Sequence, residues 1–101
     1  MKIALIFLCF ISVLNLSGQV TGTITDNEGA PLPGASVAAY NADSELVSGT
    51  TTDGSGDFIL ELPQGSYNLE ISFIAFEPVS RKITVEDEQL NKELGTIILS
   101  E

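Results

Sequence analysis

The chain has 101 residues, no histidine and a single cysteine, Cys9, which lies in an apolar N-terminal stretch. Beyond that stretch, Arg81, Lys82 and Lys92 stand against fourteen acidic residues, a net charge of −11. This composition excludes Ser-His-Asp and Cys-His catalysis, the usual zinc sites and any disulfide in the downstream part. The excess of acids argues against nucleic acid and anionic membranes as partners, because binding to both relies on Lys and Arg. We attribute this acidic composition to the solubility of an exported domain.

Residues 1–18 have the order of a secretory signal peptide. A positive Met1-Lys2 precedes residues 3–14, which are apolar except for Ser12, and a polar segment closes at Gly18. The apolar run is shorter than the roughly 20 residues that a membrane span needs. We therefore predict cleavage after Gly18 and export of residues 19–101, with an uncleaved N-terminal anchor as the alternative.

The exported part shows the patterns of an all-β protein. Thr21, Thr23 and Thr25 alternate with Val20 and other small or apolar residues, which is strand periodicity. No segment sustains a helical period, and short alternating runs separated by Gly, Pro, Asn and Asp clusters are typical of a β-sandwich or barrel. The pattern predicts strands at 19–25, 35–41, 45–52, 57–62, 66–75, 78–85 and 92–99.

Turn chemistry explains several of the connections between these strands. Asp26-Asn27-Glu28-Gly29 and Asp53-Gly54-Ser55-Gly56 each follow a threonine, and both combine a carboxylate that can bond nearby backbone with a glycine that accepts positive φ. Pro63 and Gly65 mark a further turn. An acidic loop at 86–91, with a single helical turn as an alternative, precedes the last strand.

One face of each strand is expected to form the core, and the fifth strand contains an irregularity. Residues 67–73 alternate cleanly, but Ile74-Ala75-Phe76 breaks the alternation. This break predicts a bulge or bend near the strand end, or else an interaction patch containing Phe76. The predicted core consists of Val20, Gly22, Ile24, Val37, Ala39, Phe58, Leu60, Leu62, Tyr67, Leu69, Ile71, Phe73, Val79, Ile83, Val85, Ile97 and Leu99.

No residue pattern identifies a catalytic, cofactor or metal site. The segment Asp53 to Asp57 has carboxylates spaced as in part of a calcium loop, but Phe58 and Gln64 stand where the motif requires Gly and Glu, so we favour a simple turn. Tyr67 is expected to pack its ring and hydrogen-bond across a strand corner, a structural role. We therefore expect no enzymatic activity, no cofactor and no identifiable small-molecule substrate.

Several motifs together resemble the carboxypeptidase regulatory-like domain, also called the transthyretin-like domain. They cover essentially all of residues 19–99, and the most specific run is Pro31-Leu-Pro-Gly-Ala-Ser-Val37. Two departures are Ala75, where the family commonly has Gly, and the insertion-like segment 41–47. The other matching segments are Gly22-Thr-Ile-Thr-Asp26, Thr52-Asp53, Gly56-Asp-Phe58, Gly65-Ser-Tyr67 and Ile71-Ser-Phe-Ile-Ala-Phe-Glu77.

The resemblance implies a seven-stranded Greek-key β-sandwich and a non-catalytic role. In Gram-negative bacteria such a domain behind a signal peptide often begins a TonB-dependent outer-membrane receptor, as a periplasmic extension before the plug and barrel. Envelope proteins, including that plug and barrel, are then the expected partners, and the periplasm or outer membrane the expected location. The segment Leu94 to Glu101 is similar to the strand that leads into such a plug. The resemblance therefore implies either a truncated fragment of a receptor or a small free-standing relative.

The alternative function is a free-standing secreted module for adhesion or carbohydrate binding, located outside the cell. Sugar sites commonly use exposed aromatic rings, and Tyr40 and Phe76 are the candidates here. A hydrolase of the transthyretin-like type is disfavoured because the chain has no histidine.

Overall fold

The computed structural model describes residues 18–86 and 91–101, and in these ranges all regular structure is β. The seven predicted strands are confirmed, with ends that differ by up to three residues. They are β1 Gly18–Thr25, β2 Ser36–Tyr40, β3 Leu46–Thr51, β4 Asp57–Leu62, β5 Gly65–Ser72, β6 Val79–Val85 and β7 Lys92–Ile98.

The strands form two sheets, which confirms the predicted sandwich. One sheet has the order β4-β1-β7 and the other the order β3-β2-β5-β6. β1 pairs antiparallel with β4 but parallel with β7, so that Val20 lies beside Lys92 and Thr25 beside Ile98. The chain therefore enters the domain at one end of the sandwich and leaves it at the opposite end.

The core lies between the two sheets and follows the alternation of the sequence. In β4, Phe58, Leu60 and Leu62 are buried while the residues between them are exposed. The buried apolar residues are Val20, Ile24, Leu32, Ala35, Val37, Ala39, Phe58, Leu60, Leu62, Tyr67, Leu69, Ile71, Ile83, Val85, Ile97 and Leu99.

Three residues of the predicted core are only half-buried. Phe73 and Val79 pack against the margin of the core, where the chain leaves and re-enters the four-stranded sheet. Gly22 lies opposite Phe58, and a Cβ at this position would be 2.8 Å from the Phe58 ring. The glycine is needed because the aromatic ring occupies the space that a side chain would fill.

The fifth strand ends at Ser72, three residues before its predicted end. Residues 73–76 form a turn in which the Phe76 N–H donates to the Phe73 carbonyl at 3.0 Å. Ala75 has φ of 72°, which is the left-handed conformation that glycine adopts most easily. The bend predicted at this strand end is therefore present, and it accounts for the break in alternation.

Two predicted segments fall outside the described residues. The signal peptide assigned to 1–18 is described only at Gly18, the first residue of β1. The acidic loop at 86–91 is described only at its two ends. Both assignments remain predictions.

Candidate functional site

The loop from Asp53 to Asp57 uses its first carboxylate to organise its own backbone. Oδ1 of Asp53 accepts hydrogen bonds from the N–H groups of Ser55 at 2.9 Å and Asp57 at 3.0 Å. The second carboxylate, on Asp57, accepts from the Thr23 hydroxyl at 2.6 Å. The two bonds to Asp53 form the turn, and the Thr23 bond connects it to β1. In the part of the chain that the structure describes, no group of three or more His, Cys, Asp or Glu residues is placed to hold a metal ion.

The same loop geometry occurs twice more in the chain. Asp26 accepts through Oδ1 from the N–H groups two and four residues later, Glu28 and Ala30, both at 2.9 Å. Asn41 does the same for Asp43 and Glu45, also at 2.9 Å. A side-chain oxygen that bonds the backbone two residues ahead is the usual Asx turn. All three loops therefore have a structural explanation.

The third loop was not recognised from the sequence because its fourth position is not glycine. The fourth residue has positive φ in each loop: Gly29 at 86°, Gly56 at 79° and Ser44 at 63°. The signal available was the spacing from Asn41 to Glu45, which matches that of the other two loops, and it identifies a hairpin turn rather than a ligand site.

Tyr67 forms the strand-corner contact predicted from the sequence. Its ring is buried in the core, and its hydroxyl donates to the Pro63 carbonyl at 2.7 Å. Burial raises the pKa of the Tyr67 hydroxyl above its ordinary value, because the charged phenolate loses hydration there. A neutral, bonded hydroxyl at a turn is a structural element.

The three cations downstream of the signal segment line one groove. Arg81 and Lys82 on β6 and Lys92 on β7 border a groove of about 730 Å³, with Asn41 and Asn68 among its polar lining. β6 is an outer strand of the four-stranded sheet. Charged residues on such a strand discourage another chain from pairing with its free edge, which gives Arg81 and Lys82 a structural role.

The two aromatic residues considered for sugar stacking do not lie together. Tyr40 pairs with Asn68 at one end of β2, whereas Phe76 follows the end of β5 at which Ser36 pairs with Ser72. Both rings are half-buried. They therefore cannot form one stacking platform.

Within the described ranges, no helix is long and apolar enough to cross a membrane. The architecture so far defines a class: a small all-β sandwich of the transthyretin-like type, with tight Asx loops. The chain belongs to the carboxypeptidase regulatory-like domain family, which matches residues 19–99. This confirms the resemblance drawn from the sequence motifs.

The chain is also similar to a curated protein. It is 34% identical over 92 residues to TonB-dependent receptor P39 of Formosa agariphila. The match covers 86% of this chain but only 8% of the receptor.

Solved structures with the same fold come from diverse proteins. The Bacillus anthracis TIE protein has a TM-score of 0.71 at 19% identity, over 86% of this chain and 18% of that one. The Klebsiella pneumoniae 5-hydroxyisourate hydrolase has a TM-score of 0.63 at 18% identity, over 80% of this chain and 90% of the hydrolase. Identities this low show the shared fold and carry no assignment of function.

Proposed function

We propose that the domain is a non-catalytic β-sandwich module of the cell envelope, which serves as the periplasmic N-terminal extension of a TonB-dependent outer-membrane receptor. The observation that carries the proposal is the 34% identity with TonB-dependent receptor P39 across most of this chain. The predicted signal peptide ahead of β1 supports export. In this role the module docks other envelope proteins and performs no chemistry.

The chemistry of the described residues supports the non-catalytic role. The carboxylates of Asp26 and Asp53 are acceptors for backbone N–H groups of their own loops, and the Tyr67 hydroxyl is bonded to a backbone carbonyl. The chain has no histidine to act as a general base near neutral pH. The fold shared with a hydrolase therefore does not extend to a recognisable set of reacting groups.

The two ends of the domain lie far apart on the sandwich. Gly18 begins β1 at one end of the sandwich, and β7 ends at the other because it runs parallel to β1. In the proposed receptor, the chain would therefore continue towards the plug from the end of the sandwich opposite Gly18.

The first experiment is to read the DNA downstream of the codon for Glu101 and to fractionate cells that express the tagged product. An in-frame plug and barrel, with the tag in the outer-membrane fraction, is the expected result. A stop codon followed by unrelated genes, with the tag recovered from the medium, would contradict the proposal and favour the free-standing secreted module.

A further inference from the structure

We propose that the free edge of β6 accepts an extended acidic segment of a partner protein as an added strand. The surface, which we name the β6 edge groove, is this strand edge together with the groove that Arg81, Lys82 and Lys92 border. The inference rests on the proposed docking role and deepens it, because it names the surface and the chemistry of the partner.

The backbone of β6 offers groups for pairing with a further strand. In an antiparallel sheet, successive residues direct their N–H and C=O groups alternately to the two neighbouring strands. The Thr52 N–H donates to the Ala35 carbonyl, so the odd-numbered residues of β2 face β3 and the even-numbered ones face β5. By the same alternation, the odd-numbered residues of β5 and β6 bond each other. The backbone groups of Ser80, Lys82 and Thr84 therefore face the free edge.

The charge of the groove is opposite to that of the rest of the domain. All three lysine and arginine side chains of residues 19–101 border it, and none of the described residues that line it is acidic, although this part of the chain has fourteen acids. At 0.1 M salt the Debye length is about 10 Å, so more distant carboxylates are largely screened. The cations repel a basic strand, but they attract one that brings carboxylates.

The cations lie on both faces of this edge. Arg81 and Lys82 are consecutive, so their side chains project to opposite faces of β6. Arg81 alternates with the buried Ile83 and is on the core side, while Lys92 lies beside the buried Val20 and is on the core side of the other sheet. Successive side chains of an added strand also alternate between the faces. Two adjacent acids in it would therefore contact Lys82 on one face and Arg81 and Lys92 on the other.

This two-faced arrangement argues against other occupants of the groove. Two copies of β6 would place like charges opposite each other. A second copy would also offer β4, another outer strand, but its Asp57 and Glu61 are four residues apart and lie on one face. An anionic membrane surface is broad and would contact the cations of one face. An extended acidic segment is the occupant that matches both the backbone groups and the charges.

The test uses hexapeptides with blocked ends and the ¹⁵N-labelled protein observed by NMR. The first peptide has two adjacent glutamates flanked by valine and threonine. The second has two glutamines in their place, and the third has the two glutamates separated by one residue, so that both lie on one face of a strand. We expect the first peptide to bind at least tenfold more tightly than the second and at least threefold more tightly than the third.

Hydrogen exchange tests the strand pairing directly. The N–H groups of Ser80, Lys82 and Thr84 face the free edge, whereas those of Arg81 and Ile83 already bond β5. We expect the first peptide to slow exchange at Ser80, Lys82 and Thr84 at least tenfold, because the added strand supplies acceptors for these three groups. Attraction between charges alone would not produce this alternating protection.

Two pairs of variants separate the charge from the backbone pairing. Arg81→Gln with Lys82→Gln should weaken the first peptide at least tenfold, whereas Arg81→Lys with Lys82→Arg keeps the charge and should stay within threefold. Thr84→Pro removes an N–H that faces the free edge, where proline is tolerated, and should also weaken binding at least tenfold. Thr51→Pro makes the same change at the free edge of β3 and should leave the affinity within twofold. Amide spectra will show that each variant is folded.

The inference fails if the first peptide does not bind, if the glutamine peptide or glutarate binds equally well, or if the exchange of Ser80, Lys82 and Thr84 is unchanged in the complex. Arg81-dependent binding to phosphatidylethanolamine–phosphatidylglycerol vesicles at 3:1, or Arg81-dependent self-association in sedimentation, would replace the proposed partner by another occupant. Peptide binding that appears only in Glu86→Gln with Glu88→Gln would show that the acids after β6 compete for the groove, and it would also overturn the inference.

Failure of this inference and failure of the proposed function are distinguishable. Peptide binding at the β6 edge groove without a receptor in the downstream DNA would reject the proposed function alone. A plug and barrel downstream of a groove that binds no acidic strand would reject this inference alone.

Discussion

Gly56 is the glycine at which an added side chain would destabilise the fold most. Its φ is +79°, and an added Cβ would be 2.6 Å from the Ile24 carbonyl oxygen and 3.0 Å from Pro31 Cβ. The left-handed conformation costs an alanine about 1–2 kcal/mol, and overpacking adds a similar amount. We expect Gly56→Ala to lower the free energy of unfolding by about 3 kcal/mol, measured by urea denaturation followed by circular dichroism.

Two other glycines, Gly29 in an equivalent loop and Gly54 in the same loop, separate the steric and conformational causes of this loss. Gly29 has φ of +86° but nothing within 4 Å of an added Cβ, so Gly29→Ala should cost about 1 kcal/mol. Gly54 has neither constraint, and Gly54→Ala should be neutral or stabilising by about 0.5 kcal/mol. Equal losses at all three positions would show that steric contact with β1 is not the cause.

Ser44 offers the opposite test, because it occupies the glycine position of its loop. With φ of 63° it carries conformational strain that glycine would relieve. We expect Ser44→Gly to raise the free energy of unfolding by about 0.5–1 kcal/mol. The matched control is Ser55→Gly, one position earlier in an equivalent loop, where added chain freedom should cost about 0.5–1 kcal/mol. Stabilisation by both substitutions would contradict this account.

Tyr67 makes the stability of the domain depend on alkaline pH. The pKa of the Tyr67 hydroxyl in the folded protein lies above its unfolded value of about 10. The stabilisation that the neutral hydroxyl gives to the folded state is therefore fully present below pH 10, and it is lost as pH rises through the folded pKa. Tyr67→Phe removes this dependence and the bond to Pro63, at a cost of about 1 kcal/mol at pH 7. Urea titrations from pH 7 to 11.5 should show the two proteins converging above pH 10.

The control for this pH effect is Tyr40→Phe, which leaves the Tyr67 hydroxyl in place. The free energy of unfolding of Tyr40→Phe should fall with alkaline pH as it does in the wild type, because that fall comes from Tyr67. If the free energies of unfolding of wild type and Tyr67→Phe differ by a constant amount across the alkaline range, ionisation at position 67 is not linked to folding.

At the scale of elements, Thr52 bonds the connection between β3 and β4 to the segment before β2. Its hydroxyl accepts from the Ala35 N–H at 2.8 Å and donates to the Leu32 carbonyl, while its own N–H donates to the Ala35 carbonyl at 2.9 Å. The residue is 5% exposed. A single buried hydroxyl thus satisfies two backbone groups of the segment before β2.

We expect Thr52→Val to lower the free energy of unfolding by about 2–3 kcal/mol, because it keeps the shape but leaves those two buried groups without partners. Thr52→Ser should recover most of the loss, since it restores the hydroxyl. Thr51→Val, at an exposed position of β3, is the control and should change stability by less than about 0.5 kcal/mol. A Thr52→Val protein as stable as the control would exclude this fastening role.

The strands were predictable from sequence because a half-buried strand alternates apolar and polar residues, as Tyr67 to Ile71 does. Burial of Leu32, Ala35 and Thr52 was not, because it depends on contacts between segments far apart in the chain. The parallel pairing of β1 with β7 has no local signature for the same reason. The sequence offered a patch containing Phe76 only as the alternative to a bend, and the acids of 26–28 and 101 come beside Phe76 only in the folded chain.

At the scale of the whole molecule, the charge balance opposes folding. Fourteen acidic residues and three cations are confined to residues 19–101, and the three cations line one groove. Repulsion among the carboxylates that exceed the cations in number favours the expanded unfolded chain. Salt screens this repulsion, because the Debye length falls from about 30 Å at 0.01 M to about 10 Å at 0.1 M. We expect the free energy of unfolding to rise by about 1 kcal/mol between 10 and 300 mM NaCl.

Removal of carboxylates should reproduce the effect of salt. The double variant Glu61→Gln and Glu70→Gln removes two exposed charges from β4 and β5, and it should be more stable than wild type at 10 mM NaCl with a shallower salt dependence. If its salt dependence equals that of wild type, repulsion is not what salt relieves. If the free energy of unfolding instead falls with salt, attraction between the groove cations and nearby acids outweighs the repulsion among the carboxylates.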